Sequence, residues 1–214
     1  MTNEIINKGS AELPAAQMIN QGPGPQIGTM TGNIIYNQVP TGLAEQVNAL
    51  FGLLQGQQQN ISHAMEWASL SHERFCLFVL DNETYNAGAF SIAKTRALTK
   101  YTPEWEHYKP LSPDLVAEIL QMPCIFSKRN IRFRETSEDH PVIYGRIKEI
   151  IPQESTIKFC FEAYKTDYQQ TINHNISRFG LLETTLRNQL DEEHWCIRNG
   201  NLQQVLSALG IIIE

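Results

Sequence analysis

The stretch from Pro123 to Tyr164, PCIFSKRNIRFRETSEDHPVIYGRIKEIIPQESTIKFCFEAY, constrains the fold more than any other part of the chain. Three runs within it, around Ile131–Phe133, Val142–Ile150 and Thr156–Phe161, alternate apolar and polar residues. That is the pattern of strands with one buried face. A period of two lets Ile131, Phe133, Ile143, Ile147, Ile157, Phe159 and Phe161 point into a core. Arg132, Arg134, Tyr144, Arg146 and Lys148 then share the other face, with Lys158 beside them. The expectation is a small antiparallel sheet, or a partly open barrel, with a basic and partly aromatic outer surface.

The rest of the chain supplies helices and an N-terminal arm. Residues 1 to 40 are rich in Gly, Pro, Gln and Asn, include GPGPQIG, and carry few bulky apolar residues. Such density of Gly and Pro opposes helix and continuous strand, although Asn33–Val39 (NIIYNQV) could form one short strand. The segment reads as a flexible or extended arm, or as one that adds a strand to a partner. From Thr41, a plausible N-cap after Pro40, the spacing of Leu43, Val47, Leu50, Phe51 and Leu54 predicts helix. Ile61, Ala64, Met65 and Ala68 continue it nearly in phase, so the segment is one long helix or a hairpin broken at Gly56. Val47, Leu50, Leu54, Ile61 and Ala64 also fit heptad spacing, which suits self-association. Gln57 falls on the same seam and the repeat lasts only about three heptads, so packing inside the monomer is the expectation.

Phe75–Leu80 (FCLFVL) predicts a buried strand, with Tyr85–Ile92 returning as its hairpin partner. Thr102-Pro103 and Ser112-Pro113 mark two helix starts, the second helix running to about Gln121. Beyond Asp167, Ile172, Ile176, Phe179, Leu182, Leu186 and Leu190 recur at helical spacing, divided at Gly180. Asn201 caps a last helix carrying Leu202, Val205, Leu206 and Leu209, with Gly210 just past its end. Together these make a single α+β domain over residues 41–214 behind the arm.

Composition narrows the function classes. A hydrophobic content of 42% with 19% charged residues is globular, which opposes wholesale disorder. A net charge of -6 opposes coating of nucleic acid or anionic membrane by bulk charge, but leaves room for a local basic face. No apolar run approaches the roughly 20 residues that span a bilayer, and the N-terminus lacks the pattern of a signal peptide. A cytoplasmic chain is expected. The scattered Cys76, Cys124, Cys160 and Cys196 then read as reduced, mostly buried thiols.

Catalytic signatures are sparse. The chain has no GxxxxGK[ST], no GxGxxG and no GxSxG. His72 and Cys76 imitate a helical HExxH pair, but Cys76 opens an apparent strand and no third ligand follows at recognisable spacing. His194 and Cys196, two apart in an extended segment, could meet as base and thiol. Trp195 and Ile197 instead suggest that this segment docks into the core. No catalytic residue, metal ligand or cofactor is assigned. The basic sheet face of Arg132, Arg134, Tyr144, Arg146 and Lys148 offers nucleic-acid or nucleotide binding, since cations can track phosphates while an aromatic stacks a base.

The final segment, LRNQLDEEHWCIRNGNLQQVL, together with FVLDNETYN, AEILQMPCIF and VIYGRIKEI, resembles uncharacterised bacterial proteins of accessory and defence gene clusters. The likeness covers residues 75 to 210. Those proteins often carry Thr-His-Trp, two residues, a polar pair and Leu-x-x-Val-Leu. Here Glu193 stands at the threonine position and Gly200 interrupts the polar pair. The resemblance implies a small bacterial subunit accompanying an effector and offers no catalytic residues to carry over. The leading expectation is therefore a non-enzymatic interaction module that binds a partner protein or itself. Nucleic-acid binding and an unusual enzyme using His194 or His72 are the alternatives.

Overall fold

The computed structural model describes residues 41–81, 83–108, 111–137 and 140–213. The expected arm, with its strand near Asn33–Val39, lies outside the described residues. Among the described residues eight strands follow in chain order: β1 (Arg74–Val79), β2 (Ala89–Ala93), β3 (Pro123–Ser127), β4 (Pro141–Pro152), β5 (Thr156–Tyr168), β6 (Leu182–Thr184), β7 (Arg187–Asn188) and β8 (His194–Asn199). Between them lie α1 (Thr41–Ser69), α2 (Trp105–Tyr108), α3 (Pro113–Ile119), α4 (Gln169–His174) and α5 (Leu202–Ala208). The fold is α+β, with a curled six-stranded half-barrel in the order β2-β5-β4-β3-β1-β8. β1 runs parallel to β3, and the other pairs in this sheet are antiparallel. β6 and β7 form a separate two-stranded ribbon. By compactness the chain divides into two units, Met1–Gln55 and Gly56–Glu214, and the sheet belongs wholly to the second.

Both faces of the central strands are buried, which explains why RFCLFV and PCIFS are apolar runs rather than alternating ones. Cys76 and Phe78 enter one core with Phe126, Ile143, Ile147, Ile157, Phe159, Phe161 and Trp195. Phe78 stacks on Trp195 at 5.5 Å and on Phe126 at 5.3 Å between ring centroids. Tyr108, Leu115 and Ile119, from the connection between β2 and β3, cover this side. Phe75, Leu77, Val79, Ile125, Tyr144 and Cys196 enter the opposite core, closed by Trp67 and Leu70, by Ile172 of α4 and by Leu202 and Leu206 of α5. Each fully buried large side chain contributes about 1.5–3 kcal/mol relative to its exposed state, so these two layers dominate stability.

The curl is built into β4 and β5. Tyr144 pairs with Lys165 but Gly145 with Ala163, leaving Tyr164 as an extra residue. Ile147 pairs with Phe161 but Glu149 with Cys160, leaving Lys148 extra on the other strand. Such bulges increase local twist and bend the strands. The first requires a glycine: a Cβ on Gly145 would sit 2.0 Å from the carbonyl oxygen of Glu162.

Several expectations are corrected. Ile131–Phe133 is not a strand. It lies in a turn closed by an isolated bridge between Arg132 and Glu135, with Arg134 at φ 57° and Ile131 exposed. The alternation there is an accident of a turn whose Ile131 amide donates to the carbonyl of Glu135. Tyr85–Ile92 is not the hairpin partner of β1, because β3 and β8 occupy both edges of that strand. Ala89–Ala93 pairs with β5 at the far edge instead. After Asp167 the expected helical stretch, divided at Gly180, is replaced by the short α4, turns and the β6–β7 ribbon. Ile172, Ile176, Phe179 and Leu190 are buried, whereas Leu186 is 80% exposed. A cap breaks the helix spacing there: Asn188 accepts from the Leu190 amide, and Asp191 accepts from the Asn188 amide. The last helix is as expected. Asn201 accepts from the Gln204 amide, and Gly210 at φ 73° ends it in a Schellman-type turn.

Gly145→Ala should destabilise the protein by about 1–3 kcal/mol, the usual cost of forcing backbone apart in a packed site. A lower urea midpoint with an unchanged slope checks this. An unaltered midpoint would show that the bulge relaxes freely.

Candidate interaction surface

Helix α1 carries two faces of different chemistry. Its C-terminal turns meet the sheet through His63, Glu66 and Trp67, spaced three and four apart on one side of the helix. Trp67 is buried and meets the Tyr164 ring edge-on at 6.1 Å, while the His63 ring lies 4.9 Å from it. The Tyr164 hydroxyl donates to Glu66 at 2.9 Å. Arg146 places one guanidinium nitrogen 2.9 Å from Glu66 and 3.2 Å from Glu162. Burial, with Glu66 beside it, holds the Tyr164 hydroxyl well above the usual phenol range, so it remains a donor.

The other face is apolar and, among the described residues, uncovered. Val47, Leu50, Phe51, Leu54, Ile61 and Met65 follow helical spacing and are between 42% and 70% exposed. Every residue from Glu45 to Ser62 is exposed. Of the heptad-like residues expected to pack inside the monomer, Val47, Leu50, Leu54 and Ile61 are exposed among the described residues and Ala64 is half-buried. His63, Glu66 and Trp67 take the sheet-facing side, so Ile61 and Met65 are turned to solvent. The polar run GQQQN does not break the helix: Thr41–Ser69 is continuous through Gly56.

The five residues expected on one basic face are dispersed. Arg132 and Arg134 are exposed in the turn after β3, which Gln170 ties to α4 by donating to the Arg134 carbonyl at 3.0 Å. Tyr144 is fully buried in the second core. Arg146 is engaged by Glu66 and Glu162, and Lys148 lies 3.7 Å from Glu162. Lys158 is half-buried opposite Ser91 on β2. Only Arg146 and Lys148 are brought together, and the carboxylates between them neutralise that corner. Period-two spacing placed Tyr144 and Arg146 on the correct side of the sheet. It carried no sign that α1 covers that side.

The histidine and cysteine clusters are structural. His72 is exposed ahead of β1 while Cys76 is buried within it, so they share no helical face. His194 and Cys196 are both buried in β8. The imidazole Nδ1 lies 2.9 Å from the Glu192 carbonyl, and the ring packs 4.8 Å from Tyr101. Burial lowers the His194 pKa to about 4, against an ordinary value of 6.5, so the ring is neutral at pH 7. Burial raises the Cys196 thiol, which disfavours a thiolate. The described cysteines are all free thiols. Among the described residues, no group of three or more His, Cys, Asp and Glu could hold a metal ion. No described helix is long and apolar enough to cross a membrane. A hollow of about 190 Å³ is bounded by Leu80, Ile92 and three charged residues: Arg96 pairs with Glu193, and Glu83 accepts from the Thr84 and Tyr85 amides.

No family model, curated protein or solved structure matches the chain. The surface reading therefore stands on this molecule's own geometry.

The buried His194 makes stability depend on pH with a definite sign. Its folded pKa lies below the unfolded one, so the unfolded state binds more protons between pH 6.5 and about 4. Its contribution is present above pH 6.5 and is lost as the pH falls, up to about 3 kcal/mol in all. His194→Gln should flatten the slope of unfolding free energy against pH in that window. An equal slope in both proteins would show that His194 titrates normally.

Proposed function

We propose that this protein is a non-enzymatic interaction module, an accessory subunit of the bacterial cytoplasm that works by binding another protein chain through α1. The observation that carries this reading is the apolar row of Val47, Leu50, Phe51 and Leu54 on α1, which no other described residue covers. Single exposed apolar residues are ordinary, but a contiguous row along one helix is the form taken by helix-in-groove and helix-pairing surfaces. The expected resemblance to small subunits of accessory and defence clusters agrees with it. A nucleic-acid partner has less support. Arg146 and Lys148 sit against carboxylates, Tyr144 is unavailable for stacking, and Arg132 and Arg134 stand on a separate turn.

The test uses the full chain and the double variant Leu50→Glu with Leu54→Glu, each purified with an affinity tag and sized by chromatography with light scattering. Both positions are exposed, so circular dichroism and the unfolding midpoint should hold nearly constant. Wild type should carry a stoichiometric protein chain, whether a second copy or a different protein. The variant should lose it with at least a tenfold drop in affinity, because each leucine buried in an interface contributes about 1.5–3 kcal/mol. Retention of the complex by the variant, or a wild-type chain that holds no protein, would remove the reading.

A further inference from the structure

Three sulfurs gather where β1 meets β3, inside the first core. Cys76 and Cys124 stand opposite one another in the parallel register of the two strands, and both side chains enter that core. Adjacent strands run about 4.8 Å apart, so the two thiols are immediate neighbours. Met122, two residues before Cys124, joins the same core and sets its Sδ 3.9 Å from the Cys76 Sγ. All three residues are fully buried. Burial, with Cys76 beside it, holds the proton on the Cys124 thiol. Taken singly, cysteine and methionine are ordinary core residues. Here they adjoin one another, and the residues across from the two cysteines on the outer strands, Ile197 and Gly145, bring no polar side chain.

We propose that Cys76, Met122 and Cys124 bind one Cu(I) ion in a three-coordinate site of two thiolates and a thioether. The site is independent of the α1 surface. Thiolate and thioether are soft ligands and select Cu(I). A closed zinc site takes four donors from Cys, His, Asp and Glu, and among the described residues no three of these are grouped. With metal–sulfur bonds of about 2.3 Å, three sulfurs in a plane around a cation stand about 4 Å apart. The separation of Cys76 from Met122 already matches that spacing. The cation takes the place of the two thiol protons, which leave to solvent, and no electron is transferred. Access is from the start of β1. There Arg74, two residues before Cys76, pairs with Glu118 at 2.7 Å and lies over the Tyr108 ring, and both partners of the pair are half-exposed.

The full chain, purified reduced and without oxygen, tests this by competition for copper against the coloured Cu(I) complex of bicinchoninate. Wild type should take up one equivalent, and so should Cys160→Ser, which removes the one cysteine that is not fully buried. Met122→Leu keeps the position apolar and close to its native volume, so the fold should hold. It should weaken uptake by at least the roughly 10–100-fold that loss of even a supporting group costs a metal site. Cys124→Ala should abolish uptake, with circular dichroism and the unfolding midpoint showing that the variant is folded; Met122→Leu decides the matter where it is not. X-ray absorption of the loaded wild type should show sulfur alone around the copper. A wild type that leaves the copper with bicinchoninate would overturn the site. Uptake unchanged by Met122→Leu and Cys124→Ala, or lost with Cys160→Ser alone, would overturn it equally.

Discussion

The stacking of Phe78 between Trp195 and Phe126 ties together three strands that are far apart in sequence, and the architecture depends on it. β1 is held on one edge by β3 in parallel and on the other by β8 in antiparallel pairing. With both edges taken and both faces buried, β1 has no exposed surface from which a hairpin could start. The chain after Leu80 must therefore travel to the opposite edge, where Ala89–Ala93 pairs with β5. The same double burial requires a covering layer on each side. α3 and the neighbouring connection close one, while α4, α5 and the last turns of α1 close the other.

The long β4–β5 pair adjusts its curvature to that core through two bulges. The first exposes the link between backbone and surface chemistry: by letting the chains approach closely at Gly145, it leaves Tyr164 unpaired in the ladder. Tyr164 then serves as a platform for Trp67 and His63 and donates to Glu66. Arg146, which would otherwise be a free cation on the sheet, is drawn to Glu66 and Glu162. The sheet face that reads as a ligand surface is thus the seat of a helix.

That seating gives α1 its character. A helix docked through Glu66 and Trp67 has already committed one side, and the apolar row at Ile61 and Met65 falls on the side left over. A long apolar row in water is costly, and association is the ordinary way of removing it.

Local pattern determined a good deal by itself. The cap at Asn201 with Gly210, the proline start of α3, the strands at Phe75–Val79, Val142–Ile150 and Thr156–Phe161, and the inward set of Ile143, Ile147, Ile157, Phe159 and Phe161 all depend on neighbours within a few residues. Those are the distances over which periodicity and capping act. Tertiary structure alone decided which strand pairs with which, since a strand's outer edges carry no mark of their partner. It also decided that the helical spacing from Ile172 to Leu190 would be broken by the Asn188–Asp191 cap. Above all it decided which side of α1 is covered. Spacing shows that a helix has an apolar face, but whether that face meets its own core depends on what the opposite face has already bound.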